Sequence, residues 1–221
     1  MQTRYVVADF DKNANIAFYD NLMSQVADLD IGLVILNAGV GNGGWFVNES
    51  IEHWQQLLDV NVYQYSIMTH KFCKMLEARK AERSGFIVTG SVASEIPGMQ
   101  MSFAYGATKA FVKYLIKSMA YEHSVSDNAK RSKIDLLCLQ PGMVKTKMIK
   151  PLEDMGRAIA VVSTEECVEA TLNDLGNGKH CTFGASAHHK FIRVLEVFVK
   201  YLNPVVNNRK YRKKKEATEA K

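Results

Sequence analysis

The stretch Ile31-Gly32-Leu33-Val34-Ile35-Leu36-Asn37-Ala38-Gly39 decides the architecture. Ile31 to Leu36 runs apolar without a polar break, between Asp30 and the turn formers Asn37 and Gly39. Such a run predicts a strand buried on both faces, as in parallel sheets. Two similar runs follow: Gly85–Ser91, and Lys133–Gln140, which Pro141-Gly142 stops. His180–Phe183 reads as a short last strand, and Arg4–Asp9 as a first one ending in an acid. Helical spacing fills the gaps, over residues 14–28, Ser50–Leu76 and Phe103–His123. A further helix opens on the capping box Ser163-Thr164-Glu165-Glu166 and ends near Gly176. Strand and helix alternate, which predicts an α/β chain with a doubly wound, Rossmann-like parallel sheet.

The chain has 221 residues, 47% of them hydrophobic, enough for one domain with a full core. No stretch of 18 consecutive apolar residues reads as a membrane span, and residues 1–11 show no signal-peptide pattern. Cys73, Cys138, Cys167 and Cys181 lie far apart and form no metal-ligand spacing, so buried thiols in a reducing compartment are expected, with no metal. His188-His189 reads as loop surface. The net charge of +5 resides wholly in residues 209–221, where seven Lys/Arg meet two Glu. A balanced body gives no basic surface for nucleic acid. Residues 190–202 read as a helix with a polar stripe at Arg193, Glu196 and Lys200. It either packs on the domain or, with the basic tail, lies on an anionic membrane through residues 190–215. The chain thus divides into a domain over 1–185, an amphipathic helix over 186–208 and a tail over 209–221.

Chemistry concentrates in Tyr105-Gly106-Ala107-Thr108-Lys109. Residues four apart share a helix face, so the phenol and the ammonium can enter one cleft. A nearby positive charge favours phenolate and lowers the Tyr105 pKa toward working pH, which suits proton exchange with a carbonyl/alcohol pair. Ser91 closes the strand before it, at the strand end that lines the ligand crevice of open α/β sheets. Asn61 falls mid-helix, where Asn competes for backbone hydrogen bonds, so it signals a kink or a function. Gly39, Gly41 and Gly44 formally match GxGxxG, but no helix opens at the third Gly. That loop reads as a turn flanking a cofactor, not as a pyrophosphate cradle.

These residues, in this order, resemble the short-chain dehydrogenase/reductase family from Asp9 to about Gly184: Asp9, Asn37-Ala38-Gly39, Asn61, Ser91, Tyr105-xxx-Lys109 and Pro141-Gly142-Met143-Val144-Lys145-Thr146. The resemblance implies that Tyr105 is the general acid/base and that Lys109 lowers its pKa and holds the nicotinamide ribose. It implies that Ser91 orients the substrate oxygen and Asn61 holds a relay water. Asp9 would meet the adenine edge, Asn37, Ala38 and Gly39 would line the cofactor, and Pro141, Gly142, Val144 and Thr146 would surround the nicotinamide amide. The cofactor is NADP or NAD, NADP by branch. Ser91 lies one residue farther from Tyr105 than the family spacing, which makes Ser94 its alternate.

The family's opening strand, TGxxxGIG turn, helix and second strand have no counterpart here. The chain is therefore expected to be N-terminally truncated, with Arg4–Asp9 separated from Ile31–Leu36. Its tail resembles the endoplasmic-reticulum branch, which acts on 3-oxoacyl-CoA or on steroid hydroxyl and keto groups. That implies a hydrophobic substrate and an endoplasmic-reticulum membrane location, the alternative being cytoplasmic. A homodimer through the Asn61 and Tyr105 helices is also implied. The alternative function is a non-catalytic fragment acting through membrane or partner contacts.

Overall fold

A computed structural model describes residues 3–11, 14–41, 46–80, 83–95, 103–127, 133–150, 154, 156 and 158–197. Strands β1 (Leu33–Leu36), β2 (Ser84–Thr89), β3 (Ile134–Leu139) and β4 (Cys181–Thr182) form one parallel sheet in that order. Helices α1 (Ile16–Ser24), α2 (Ile51–Leu58), α3 (Gln64–Ala78), α4 (Phe103–Val125), α5 (Thr164–Asp174) and α6 (Ser186–Val197) surround it.

Strand periodicity sorts the side chains to two faces. Register aligns Val34 with Phe86 and Leu136, and Leu36 with Val88 and Cys138. All six are buried, beneath Tyr19 of α1, Tyr65, Met68 and Leu76 of α3, and Val112, Ile116 and Ala120 of α4. The Tyr65 hydroxyl stands 3.3 Å from Leu36 O and 3.2 Å from Thr89 O, tying α3 to the ends of β1 and β2. On the opposite face α5 covers β2 and β3. Leu175, at its C-terminal end, lies against Gly85, and Cys167 lies beside Leu139 and Gly184. Caps form where the sequence placed one: Ser163 Oγ accepts from Glu166 N–H, and α5 gives way to Gly176 at φ +79°.

Several expectations are corrected. Arg4–Asp9 is irregular, not a strand; no described strand lies beside it, and Tyr5 and Val7 are each 90% exposed. Arg4 holds the segment through Asp28 and Gln25 O instead. β1 is buried on one face only: Leu33 and Ile35 are 41% and 53% exposed, because α5 stands over the neighbouring strands. The run over Ser50–Leu76 is interrupted at Asp59–Tyr63 by a π-helical turn centred on Asn61. His188 and His189 lie in α6, not in a loop, and His188 is fully buried. α6 begins four residues before the predicted helix and buries Ile192 against Val92, Phe183 and Phe191, while Val194 is exposed. The rest of that helix prediction and the basic tail lie outside the described residues. No helix among the described residues is long and apolar enough to cross a membrane.

Ile116 sits fully buried in α4 beneath the sheet. Ile116→Ala is expected to lower unfolding stability by about 2–5 kcal/mol, read from denaturant titration.

Candidate active site

A cleft of about 670 Å³ opens at the C-terminal ends of β1–β3. It is lined by ten of the residues singled out from sequence: Asn37, Ala38 and Gly39 after β1, Ser91 after β2, Tyr105 and Lys109 from α4, and Pro141, Gly142, Val144 and Thr146 after β3. Ile35, Ile87, Leu139, Val168 and Leu172 extend it as an apolar wall along the less covered sheet face.

α4 delivers its two functional groups because it approaches the strand ends closely. A Cβ on Gly106 would stand 2.9 Å from Ala93 O, so only glycine lets the helix lie against the turn that carries Ser91. Ser91 caps that turn, its Oγ accepting from Ala93 N–H at 3.2 Å. The turn is fixed from behind by Gln140, whose buried amide donates to Ser94 Oγ and Glu95 Oε1, both at 2.6 Å. Lys113, two helical turns beyond Tyr105, closes the cluster on the Glu95 carboxylate. Ser94 is therefore engaged in this support, with its own hydroxyl donating to Ser91 O at 2.8 Å.

Lys109 is 3% exposed. Its Nζ donates to Thr89 O at 2.8 Å and lies 5.2 Å and 5.8 Å from the ring centroids of Tyr65 and Tyr105. Burial pulls its pKa down from 10.5 to about 8. For Tyr105, burial dominates and raises the pKa, while a hydrogen bond with Ser91 works in the opposite direction. This corrects the expectation of a lowered phenol pKa. A desolvated phenolate is disfavoured, and the Lys109 ammonium is itself weakened by the same dry surroundings.

Asn61 and Asp9 stand outside the lining. Asn61 is fully buried behind it. Its Oδ1 accepts from Val40 N–H at 3.0 Å, and its Nδ2 donates to Val40 O at 2.8 Å and Thr108 Oγ1 at 3.1 Å. The side chain is thus a strut between the β1 end and α4. Asp9 is exposed on the irregular N-terminal segment, where its Oδ1 accepts from Asp11 N–H at 3.0 Å. Without strand pairing, nothing brings it to the cleft. Thr89, Thr108 and Gln140 escaped the sequence reading. Thr108 and Gln140 adjoin Lys109 and Pro141, and Thr89 lies two residues before Ser91; nearness in sequence was their only signal.

A nucleotide fits this chemistry in one respect that the chain itself shows. A Cβ on Gly39 would lie 3.2 Å from Lys109 Nζ and 3.3 Å from Asn61 Oδ1, so glycine there keeps the approach to the ammonium open. An ammonium has three donors, and Thr89 O takes one, which leaves capacity for ligand hydroxyls. Among the described residues no group of three His, Cys, Asp or Glu could hold a metal ion.

A family profile described as short chain dehydrogenase matches residues 1–157. Hydroxysteroid dehydrogenase-like protein 1 of Gallus gallus is 26% identical over 182 residues, 81% of this chain and 52% of that protein. A very-long-chain 3-oxoacyl-CoA reductase-like protein of Arabidopsis thaliana is 25% identical over 169 residues, 74% of this chain and 51% of that one. The chain spans about half the length of these two relatives. The solved structure of a short-chain dehydrogenase from Sphingobium yanoikuyae in complex with NADPH superposes with a TM-score of 0.63 at 22% identity, covering 85% of this chain and 71% of the other. At that identity the likeness is one of fold.

Two substitutions probe the site's construction. Below about pH 8, Lys109 is charged in both folded and unfolded chains, and the fold bears the full cost of burying it. Between about pH 8 and 10.5 the unfolded chain binds more protons than the folded one, so stability rises with pH there. Lys109→Met is therefore expected to stabilise the fold at pH 7 by up to about 3 kcal/mol, a gain that shrinks as pH rises through that window. Thermal melts at pH 7 and pH 10 measure it. Gly106→Ala, which ordinarily stabilises a helix by about 1 kcal/mol, is expected to lower the melting temperature here, since Ala93 O obstructs the added methyl.

Proposed function

Because the chain belongs to the short-chain dehydrogenase/reductase family, we propose that its cleft binds NADP(H) or NAD(H) and interconverts a carbonyl and a hydroxyl on a hydrophobic substrate. The observation that carries this reading is the convergence of Ser91, Tyr105 and Lys109 on one cleft at the strand ends. When bound, the nicotinamide supplies or accepts the hydride. The chain supplies the rest. Ser91 Oγ hydrogen-bonds and aligns the substrate oxygen. Tyr105 donates its phenolic proton as that oxygen becomes an alkoxide, and recovers it in the reverse direction. A phenol kept neutral by burial is charged correctly for the donating step. Lys109 stabilises the phenolate so formed and meets the ribose hydroxyls with its remaining N–H groups. Asn37, Ala38 and Gly39 would hold the cofactor on one side, and Pro141, Gly142, Val144 and Thr146 on the other.

The substrate class rests on the apolar wall of the cleft and on what the relatives are named for, steroids and very-long-chain 3-oxoacyl-CoA. NADP is the cofactor proposed, by that branch. A homodimer is proposed through α4, whose Phe111, Tyr114 and Tyr121 face outward, Tyr114 75% exposed and Tyr121 70%. Membrane contact through residues 190–215 and an endoplasmic-reticulum location are proposed on the basic tail.

Fluorescence titration with NADPH and NADH, followed by turnover on a 3-oxoacyl-CoA and a 17-ketosteroid, tests the reading. Tyr105→Phe is expected to keep cofactor binding and lose about 10²–10⁴-fold in turnover. Wild-type turnover by that variant would contradict the assigned role.

A further inference from the structure

The chemistry proposed above makes no use of His188, although it is the most deeply buried histidine of the described chain. Its ring lies under the Pro141-Gly142-Met143 wall of the cleft. Gly142 N–H donates to Nδ1 at 3.2 Å, Met143 O stands 3.2 Å from Nε2, and Phe183 O stands 3.2 Å from Nδ1. A neutral imidazole carries one proton, and the partners select its place. With the proton on Nε2, the ring accepts from Gly142 N–H and donates to Met143 O. With it on Nδ1, Phe183 O gains a donor while Gly142 N–H loses its acceptor and Met143 O loses a donor. The first arrangement satisfies more of the loop.

The two contacts do not weigh equally. Met143 O also accepts from Val162 N–H at 3.1 Å, so it keeps a partner without the imidazole. Among the described residues, Nδ1 is the acceptor for Gly142 N–H. The fit is steric as well: a Cβ at residue 142 would lie 2.7 Å from His188 Cδ2, so only glycine lets the loop rest on the ring. The neighbouring loop residue is tied independently, Val92 N–H donating to Pro141 O at 3.1 Å. The hydrogen bond to Gly142 is therefore what fixes the middle of the cleft wall.

We propose that His188, as the Nε2–H tautomer, is a positioning residue that holds Gly142 in the shape required to receive the nicotinamide end of the cofactor. This inference rests on the cofactor reading above. It predicts an unequal rescue by the two amides. Asn places its amide near Nδ1, offering an oxygen to Gly142 N–H and an NH₂ toward Phe183 O. Gln reaches the Nε2 position and serves only Met143 O.

The test titrates NADPH into the full chain carrying His188→Leu, His188→Asn or His188→Gln, with melting curves for each. His188→Leu and His188→Gln are expected to weaken NADPH binding by about tenfold to a hundredfold. They should raise the cofactor KM more than they lower kcat. His188→Asn is expected to stay within a few-fold of wild type. NADPH binding unchanged in folded His188→Leu, or rescue by Gln equal to that by Asn, would overturn the proposal. If His188→Leu does not fold, the Asn–Gln comparison decides alone. Amide hydrogen exchange at Gly142 gives an arm independent of cofactor. Protection in wild type and His188→Asn with fast exchange in His188→Gln supports the clamp, and equal exchange in all three refutes it. Should wild type bind no NADPH, the cofactor reading fails while this second arm still judges His188.

Discussion

The site is organised around the cost of burying one ammonium. Lys109 crosses from α4 to the carbonyl of Thr89 at the end of β2, in surroundings dry enough to weaken its own charge. An isolated buried cation is costly, so each neighbouring device has a physical reason. Thr89 O accepts from one of its N–H groups, the faces of Tyr65 and Tyr105 flank it, and Gly39 leaves the space above it open. Gly106 lets α4 come close enough for the lysine to reach. The Gln140–Glu95–Lys113 cluster then secures the turn that sets Ser91 beside Tyr105. Position and reactivity thus have one origin, the approach of a helix to three strand ends.

Much of this is legible in the sequence because it is local. Apolar runs give the strands, capping residues the helix starts, and the four-residue spacing of Tyr105 and Lys109 their shared direction. Loops after consecutive parallel strands fall at one edge of the sheet, so Asn37, Ser91 and Pro141 meet there by topology. What escaped depends on long-range packing. Whether the phenol pKa falls or rises turns on the contest between burial and charge, and spacing is silent about burial. His188 reads as surface because its partners, Gly142 and Met143, lie some 45 residues earlier in the chain. Asp9 and the first strand fail for the complementary reason. A strand exists only where another strand accepts its hydrogen bonds, and residues 4–9 lie beside none that is described.

The sheet is unevenly covered. Three helices seal the face bearing Val34, Phe86 and Leu136, whereas Ile35 and part of α5 leave an apolar wall continuous with the cleft. That continuity gives the site its hydrophobic character. It also places the partly exposed Ile35 of β1 next to the residues proposed to hold the cofactor.

Lys109 itself is the sharpest reporter of this arrangement. Heteronuclear NMR of lysine labelled at Cε, with Lys109 assigned by substitution, reports the titration of its ammonium in the folded chain. A midpoint near 8 is expected, with the Tyr105 phenol titrating above its ordinary 10. A Lys109 midpoint near 10.5, the value of a lysine in water, would show that the ammonium is not buried between α4 and β2.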